Sequence, residues 1–123
     1  MRLAYAVSLL LFWPAFGCIS HRVSCASRDR LAAAAEAHRA TIDDVKPRYL
    51  SIVEIDTLPA SARHGVEAWA DSEIRRVRTK VQPTDELWYL REEKCSGCGW
   101  YRESYALIRG CAIVDEITLR EDM

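Results

Sequence analysis

The fold is decided by residues 86–119, which read ELWYLREEKCSGCGWYRESYALIRGCAIVDEITL. Three segments of this stretch, 86–91, 102–109 and 112–119, are rich in aromatic and β-branched side chains and alternate along the chain. Such segments are typical of β-strands. The last two are separated only by Gly110-Cys111, and a two-residue link containing glycine predicts a tight hairpin. We therefore expect three consecutive strands that pair in antiparallel fashion.

Helices and one further strand are predicted ahead of this stretch. Ser27 is a candidate cap for a helix over 28–45, where apolar residues recur at spacings of three and four, and Pro47 ends that helix. Residues 48–57 alternate and are β-branched or aromatic, so they predict a strand. A 3.6-residue period from Ala62 to Val81 predicts a five-turn amphipathic helix.

The predicted order is thus α-β-α-β-β-β. Strands that are grouped after a helix favour antiparallel pairing and an α+β fold. We expect an antiparallel sheet with the amphipathic helix packed on one face. The chain is long enough for a single domain with one modest core.

The N-terminus has the layout of a secretory signal peptide. Arg2 supplies a positive charge, residues 3–13 are an apolar run, and Ala15 and Gly17 place small side chains before Cys18. The run has about 11 residues, short of the roughly 20 that span a bilayer, although a retained anchor is the alternative. We expect a signal peptide over 1–17, a tether over 18–27 and a folded domain over 28–123.

A cysteine directly after the cleavage site also suits lipid attachment, as in bacterial lipoproteins. Lipidation of Cys18 would anchor the protein to the membrane, and Ile19 after it favours the periplasmic face of the outer membrane. A soluble periplasmic protein is the alternative. Without Arg2, 16 basic side chains face 18 acidic ones, so the mature charge is about −2 and offers no basic excess for a nucleic-acid partner.

Three motifs in the C-terminal half resemble those of a family of small, uncharacterised bacterial exported proteins. The motifs are Asp85-Glu86-Leu87-Trp88, the run from Tyr105 to Gly110, and the run from Ile113 to Thr118. The resemblance covers residues 82–119, about a third of the chain. It implies the hairpin and a location in the bacterial envelope. It implies no activity and supplies no catalytic residue.

The cysteines give the sharpest local motif, Cys95-Ser96-Gly97-Cys98. It could be half of a zinc site, a redox dithiol, or a disulfide or thiol pair in a surface loop. If the flanking strands pair, this loop and Cys111 lie at opposite ends, roughly 25 Å apart. Since a disulfide needs Cα atoms within about 7 Å, we expect Cys95 to pair with Cys98, and Cys111 to pair with Cys25 or stay free.

Two surface features remain open from sequence alone. Trp88, Trp100 and Tyr101 belong to a large aromatic content that is either core or an exposed binding patch on the uncovered face of the sheet. The basic residues near the end of the amphipathic helix either face solvent or contact anionic lipid head groups. These basic residues are Arg75, Arg76, Arg78 and Lys80.

The sequence predicts a broad class of function. We expect a small bacterial envelope lipoprotein that acts as a non-catalytic binding or accessory module, with an envelope protein as its possible partner. The alternative is a periplasmic thiol-redox or zinc-binding protein that uses Cys95 and Cys98. No catalytic constellation is recognisable, and we expect no cofactor and no metal.

Overall fold

The computed structural model describes residues 24–94 and 99–122. In chain order, the elements are α1 (Ala26–Ala33), β1 (Glu36–Ala40), α2 (Val45–Ile52), α3 (Ala60–Lys80), β2 (Glu86–Glu93), β3 (Tyr101–Arg109) and β4 (Ala112–Asp122), with short 3-10 turns at Ile42–Asp44 and Ile55–Thr57.

The four strands form one sheet in the order β1-β2-β3-β4, and each neighbouring pair is antiparallel. The predicted α+β class and the antiparallel sheet are therefore confirmed. The predicted hairpin is also present, because Arg109 pairs with Ala112 across the two-residue turn. Gly110 opens that turn with φ +59°, a left-handed conformation that suits glycine at the first position of a hairpin turn.

The amphipathic helix packs on one face of the sheet as predicted. Ala70, Ile74 and Val77 of α3 are buried, and the last two belong to the larger hydrophobic cluster. Val45 of α2 is 1% exposed and joins the same cluster. The sheet contributes Leu87, Tyr89, Tyr105, Leu107, Ile117 and Leu119. We call this side of the sheet the helix face.

The opposite side of the sheet is also covered, which the sequence did not predict. A smaller cluster of Leu90, Ala106 and Ile108 lies there, and Leu90 and Ala106 are 0% exposed. Leu31 of α1 and the following Ala34 pack against this cluster. We call this side the α1 face.

Two predicted elements are wrong in extent or type. The helix predicted over 28–45 ends at Ala33, and residues 36–40 instead form β1, which hydrogen-bonds to β2. In the strand predicted over 48–57, residues 48–52 instead belong to the helix α2 and residues 55–57 to a 3-10 turn. Val45, Tyr49 and Ile52 are spaced for one face of a helix, so the same residues fit both periodicities. Pro47 lies in the first turn of α2, where its missing N–H is not needed.

A pair of cysteines holds the start of α1. Cys25 and Cys111 are at disulfide-bonding distance, with Cα atoms 4.7 Å apart. The Ser27 amide donates to the Cys111 carbonyl at 3.1 Å, and its hydroxyl donates to the Gly110 carbonyl at 2.8 Å. Ser27 is thus buried inside α1 rather than acting as its cap. The folded domain includes Cys25, so the last residues of the predicted tether over 18–27 are packed.

An ionic cluster attaches α1 to the sheet. The Arg30 guanidinium donates to both oxygens of Glu92 at 3.1 and 3.2 Å, and to Glu116 at 2.7 Å. Arg102 also donates to Glu92, at 3.1 Å. Burial alone would raise the pKa of Glu92 and of Glu116, but the hydrogen bonds from the arginines outweigh it and hold both pKa values below their usual range.

Replacing Arg30 by methionine should destabilise the fold in a pH-dependent way. The variant leaves Glu116 without its hydrogen-bonded arginine and Glu92 with Arg102 alone, at side chains only about a fifth exposed. We expect a loss of about 2 kcal/mol at pH 7, below the range for fully buried pairs. The loss should shrink towards pH 4. The wild type loses stability as pH falls through the lowered pKa values, whereas the variant gains it by protonating the same carboxylates.

Urea unfolding at pH 7 and pH 4 would measure this difference. Arg63→Met, on the exposed surface of α3, is the matched control and should cost less than about 0.5 kcal/mol at both pH values. A loss for Arg30→Met that is the same at both pH values would contradict the ionic account of how α1 is attached.

No helix within residues 24–94 and 99–122 combines the length and the apolar composition that crossing a membrane requires.

Candidate functional site

A polar cleft on the helix face is the best candidate site. It has a volume of about 280 Å³ and is lined by Glu36, His38, Arg48, Tyr89 and Tyr105. A larger depression lies over residues 47–57, but none of its lining side chains is buried. The cleft differs because two of its lining residues, Tyr89 and Tyr105, are buried aromatic side chains, as in sites that orient small ligands.

Four elements bring the cleft together. The antiparallel register pairs His38 of β1 with Tyr89 of β2, and Tyr89 with Tyr105 of β3. Since side chains two residues apart share a face, Glu36 lies on the same side as His38. The first turn of α2 supplies Arg48 from above the sheet.

The aromatic wall is continuous. The His38 ring stacks on Tyr89 with centroids 4.8 Å apart, and Tyr89 meets Tyr105 edge-on at 5.5 Å. Tyr89 and Tyr105 are 5% and 4% exposed, whereas more than half of the His38 side chain is exposed. The two tyrosines are therefore fixed by packing, and His38 forms the open rim.

Glu103 forms the polar base beside this wall. It is only 4% exposed, and one of its oxygens accepts bonds from Arg48 at 2.8 and 3.1 Å. The same oxygen accepts a bond from the Tyr89 hydroxyl at 2.8 Å. Burial, helped by this bond, raises the pKa of Tyr89 to about 12. The hydrogen bond to Glu103 likewise raises the pKa of Arg48.

The rim of the cleft carries the Glu36 carboxylate, which Arg48 does not neutralise because Arg48 pairs with Glu103. The His38 Nε2 atom lies 3.8 Å from the Glu36 carboxylate. Burial raises the pKa of Tyr105, and the nearby Asp44 carboxylate raises it further. A carboxylate that is not paired with an arginine or lysine attracts cations to a protein surface.

Replacing Tyr89 by phenylalanine should remove part of the alkaline instability of the fold. A tyrosine whose pKa rises from 10 to about 12 on folding stabilises the protein fully below pH 10, and this contribution is lost as pH rises towards 12. The variant should cost about 1 kcal/mol at pH 8, since one hydrogen bond to Glu103 is lost, and should lose less stability than the wild type between pH 8 and 11.

Urea unfolding at pH 8 and pH 11 is the measurement. Tyr49→Phe is the control, because the Tyr49 ring packs on Trp69 instead, with centroids 4.6 Å apart. Tyr49→Phe should lose as much stability between pH 8 and pH 11 as the wild type does. If Tyr89→Phe lost as much stability as the wild type between pH 8 and pH 11, folding would not raise the pKa of Tyr89.

The predicted aromatic patch is not formed. Trp88 lies on the α1 face, where it packs beside Leu90 and Arg39. Tyr101 lies near the other end of the strands, opposite Glu93, and on the helix face. Its ring contacts the guanidinium groups of Arg91 and Arg120 at 5.3 and 5.0 Å. Trp100 precedes β3 beside Arg102, at 6.0 Å. The pleat and the strand length separate these residues, so they do not share a surface.

The cysteine predictions have a mixed outcome. Of the two possibilities for Cys111, the structure has the pairing with Cys25. Cys18, Cys95 and Cys98 lie outside the described residues, so lipidation and the three interpretations of the Cys95/Cys98 pair stay predictions. Among the described residues, no group of three or more His, Cys, Asp or Glu side chains is arranged to hold a metal ion.

Sequence reasoning misses the cleft completely. The sequence pattern places His38 on the apolar stripe of a helix that in fact ends at Ala33, and Arg48 in a strand that is in fact α2. Glu103 lies in a correctly predicted strand, and its position on the face of Tyr105 and Leu107 is the available signal that it is buried.

Comparison with known proteins adds no relative: no family model, no curated protein and no solved structure matches this chain significantly.

Proposed function

We propose that this protein is a small bacterial envelope lipoprotein that acts as a non-catalytic binding module, and that the polar cleft is its binding site. The layout of residues 1–18 and the C-terminal resemblance support the location. The Cys25–Cys111 pair is consistent with it, because disulfides persist mainly in oxidising compartments outside the cytosol.

The cleft carries the binding part of the proposal. Its volume of about 280 Å³ is close to the lower end of ligand-sized pockets and suits a molecule with the bulk of one sugar ring. Its packed tyrosines and the buried Glu103 are held by the fold, so they are arranged before any ligand arrives. Preorganisation of this kind lowers the cost of binding.

The charge of the cleft favours a small ligand that carries an amine. An ammonium group can approach the exposed Glu36 carboxylate, beside the aromatic side chains that line the cleft. An anionic ligand would have to displace Glu103 from Arg48 to find a free guanidinium. Amino sugars and short amines are the chemical class that this arrangement fits.

Glucosamine is a suitable probe, with glucose as the neutral control of the same size. We expect glucosamine to cause saturable NMR shifts at Tyr89 and Tyr105, and to bind about ten-fold more tightly than glucose, which corresponds to about 1.4 kcal/mol. Glu36→Gln should remove that preference. Glu93→Gln, an exposed carboxylate at the end of β2, should leave it unchanged. Equal binding of both sugars, or binding of neither, would contradict the amine preference.

The location has its own test. The full chain is expressed in a bacterial host, and the envelope is separated into soluble and membrane fractions. We expect the wild type in the outer-membrane fraction and Cys18→Ala outside it, because the variant lacks the thiol that accepts the lipid. Recovery of the wild type in the soluble periplasmic fraction would instead favour the unlipidated form.

A further inference from the structure

We propose that the end of the domain that contains the β3–β4 turn docks on the phospholipid bilayer, with Val81 as the residue that enters the interface. We call this end, defined by Cys25, the Gly110–Cys111 turn and the C-terminus of α3, the anchor end. This inference rests on the proposed lipidation of Cys18, and it adds which surface of the domain contacts the membrane.

The length of chain between the lipid and the fold limits the orientation. Six residues lie between Cys18 and Cys25, and the seven Cα-to-Cα steps that join the two cysteines span at most about 25 Å even when fully extended. Cys25 is fixed to Cys111 at the turn. The nine residues of β3 lead away from this turn over about 30 Å, which places Tyr101 at the far end of the sheet. An acyl group on Cys18 would therefore keep the anchor end nearest the membrane.

Hydrogen bonds join the end of α3 to the same turn. Arg109, next to Gly110, donates to the Lys80 carbonyl at 3.1 Å, and its guanidinium also pairs with Asp85 at 2.8 Å. Val81 follows Lys80 as the residue that ends α3. The last turn of α3 and the disulfide are thus parts of one surface, although they come from opposite faces of the sheet.

The chemistry of this surface suits a membrane interface. Val81 is 51% exposed and, with Trp69, is one of two large exposed apolar residues in the described part of the chain. A small apolar hollow of about 170 Å³ lies beside it, lined by Ile42, Val77 and Leu87. Arg78 and Lys80 lie three residues and one residue before Val81, and their side chains are 57% and 46% exposed. Cations beside an exposed apolar group are the pattern of interfacial segments.

The ion pairs of these two cations do not prevent lipid contact. Arg78 pairs with Asp43, whose side chain is 83% exposed, and Lys80 pairs with Asp115. The Arg78–Asp43 pair is exposed, and such pairs are worth about 1 kcal/mol or less, so phosphate groups can compete for Arg78. Asp115 is only 13% exposed, but it also pairs with Arg76 and so keeps a cation when Lys80 turns towards a phosphate. A protein that covers the same hollow is the competing occupant, and the experiment below separates it from lipid.

Photo-crosslinking of the lipidated chain tests the proposal. Benzoylphenylalanine is placed at Val81, or at Ser61 as the control. Ser61 is exposed on the same helix, about 30 Å away along its axis. The purified full-length lipoprotein is reconstituted in vesicles of phosphatidylethanolamine and phosphatidylglycerol and irradiated, and the mass of the adduct is measured.

We expect a phospholipid adduct at position 81 and none at position 61. Equal adducts at both positions, or none at position 81 of a chain whose mass shows the acyl group on Cys18, would overturn the docking surface and leave the lipoprotein proposal standing. In intact cells, an adduct with protein alone at position 81 would overturn it in favour of a protein partner. A chain without the acyl group would overturn both proposals.

Discussion

Replacing both Cys25 and Cys111 by serine should lower the free energy of unfolding by about 4 kcal/mol. The two cysteines are 86 residues apart, so their bond closes almost the whole folded chain into one loop. The chain-entropy model gives about 4–5 kcal/mol for a loop of this length. The loss would be a large part of the 5–15 kcal/mol that stabilises typical domains.

Urea unfolding of wild type and variant, with and without a reductant, measures this effect. Cys95→Ser with Cys98→Ser is the control pair, since a bridge between these neighbours closes a very short loop worth at most about 2 kcal/mol in the same model. We expect the reductant to destabilise the wild type far more than the Cys25/Cys111 double variant, in which a Cys95–Cys98 bridge is the remaining bond to reduce. A wild type that is indifferent to reductant would mean that the bond does not form.

Leu90→Ala should be the second severe change, with a loss of about 3 kcal/mol. Leu90 is 0% exposed and lies in the smaller cluster on the α1 face. The cost has two parts, the lost burial of the side chain and the cavity left under α1. If α1 did not cover this face, Leu90 would be open to solvent and its truncation would cost little.

Leu50→Ala is the matched control, because Leu50 is only partly buried in α2. It should cost about 1 kcal/mol. Chemical denaturation of both variants measures the two losses of stability. Similar losses for Leu90→Ala and Leu50→Ala would contradict the two-sided burial of the sheet.

The C-terminal half of the fold was predictable because each of its signals is local. Alternating aromatic and β-branched residues predict β2, β3 and β4, and Gly110 predicts the turn between the last two. The apolar period of α3 is long enough to exclude a strand. The geometry of the hairpin also kept Cys111 away from the Cys95/Cys98 loop, and in the structure Cys111 pairs with Cys25.

The segment before α3 was not predictable in the same way, because tertiary pairing decides it. Residues 36–40 contain two alanines and a glutamate, which favour a helix weakly. Pairing with the open edge of β2 satisfies backbone groups of both strands, and this outweighs a helix preference of a few tenths of a kcal/mol per residue. Residues 45–52 show the converse, since β-branched residues there pack as a helix.

The cleft depends on that same pairing, which is why no motif in the sequence indicated it. Glu36 and His38 reach Tyr89 only through the register of β1 on β2, and Arg48 reaches Glu103 only because α2 is a helix. These residues are up to 67 positions apart in the chain and share no spacing pattern. The residues of such a site come together only through the fold, whereas the Cys95/Cys98 motif can be recognised from the sequence alone.

The intact mass of the protein recovered from a bacterial envelope tests the central claim most directly. The protein is denatured without reductant and treated with a thiol-alkylating reagent before the measurement. The account predicts a chain that starts at Cys18, carries a diacylglyceryl-sized increment, and is not alkylated at Cys25 or Cys111. A chain that starts at Met1 and is alkylated at Cys25 and Cys111 would contradict it.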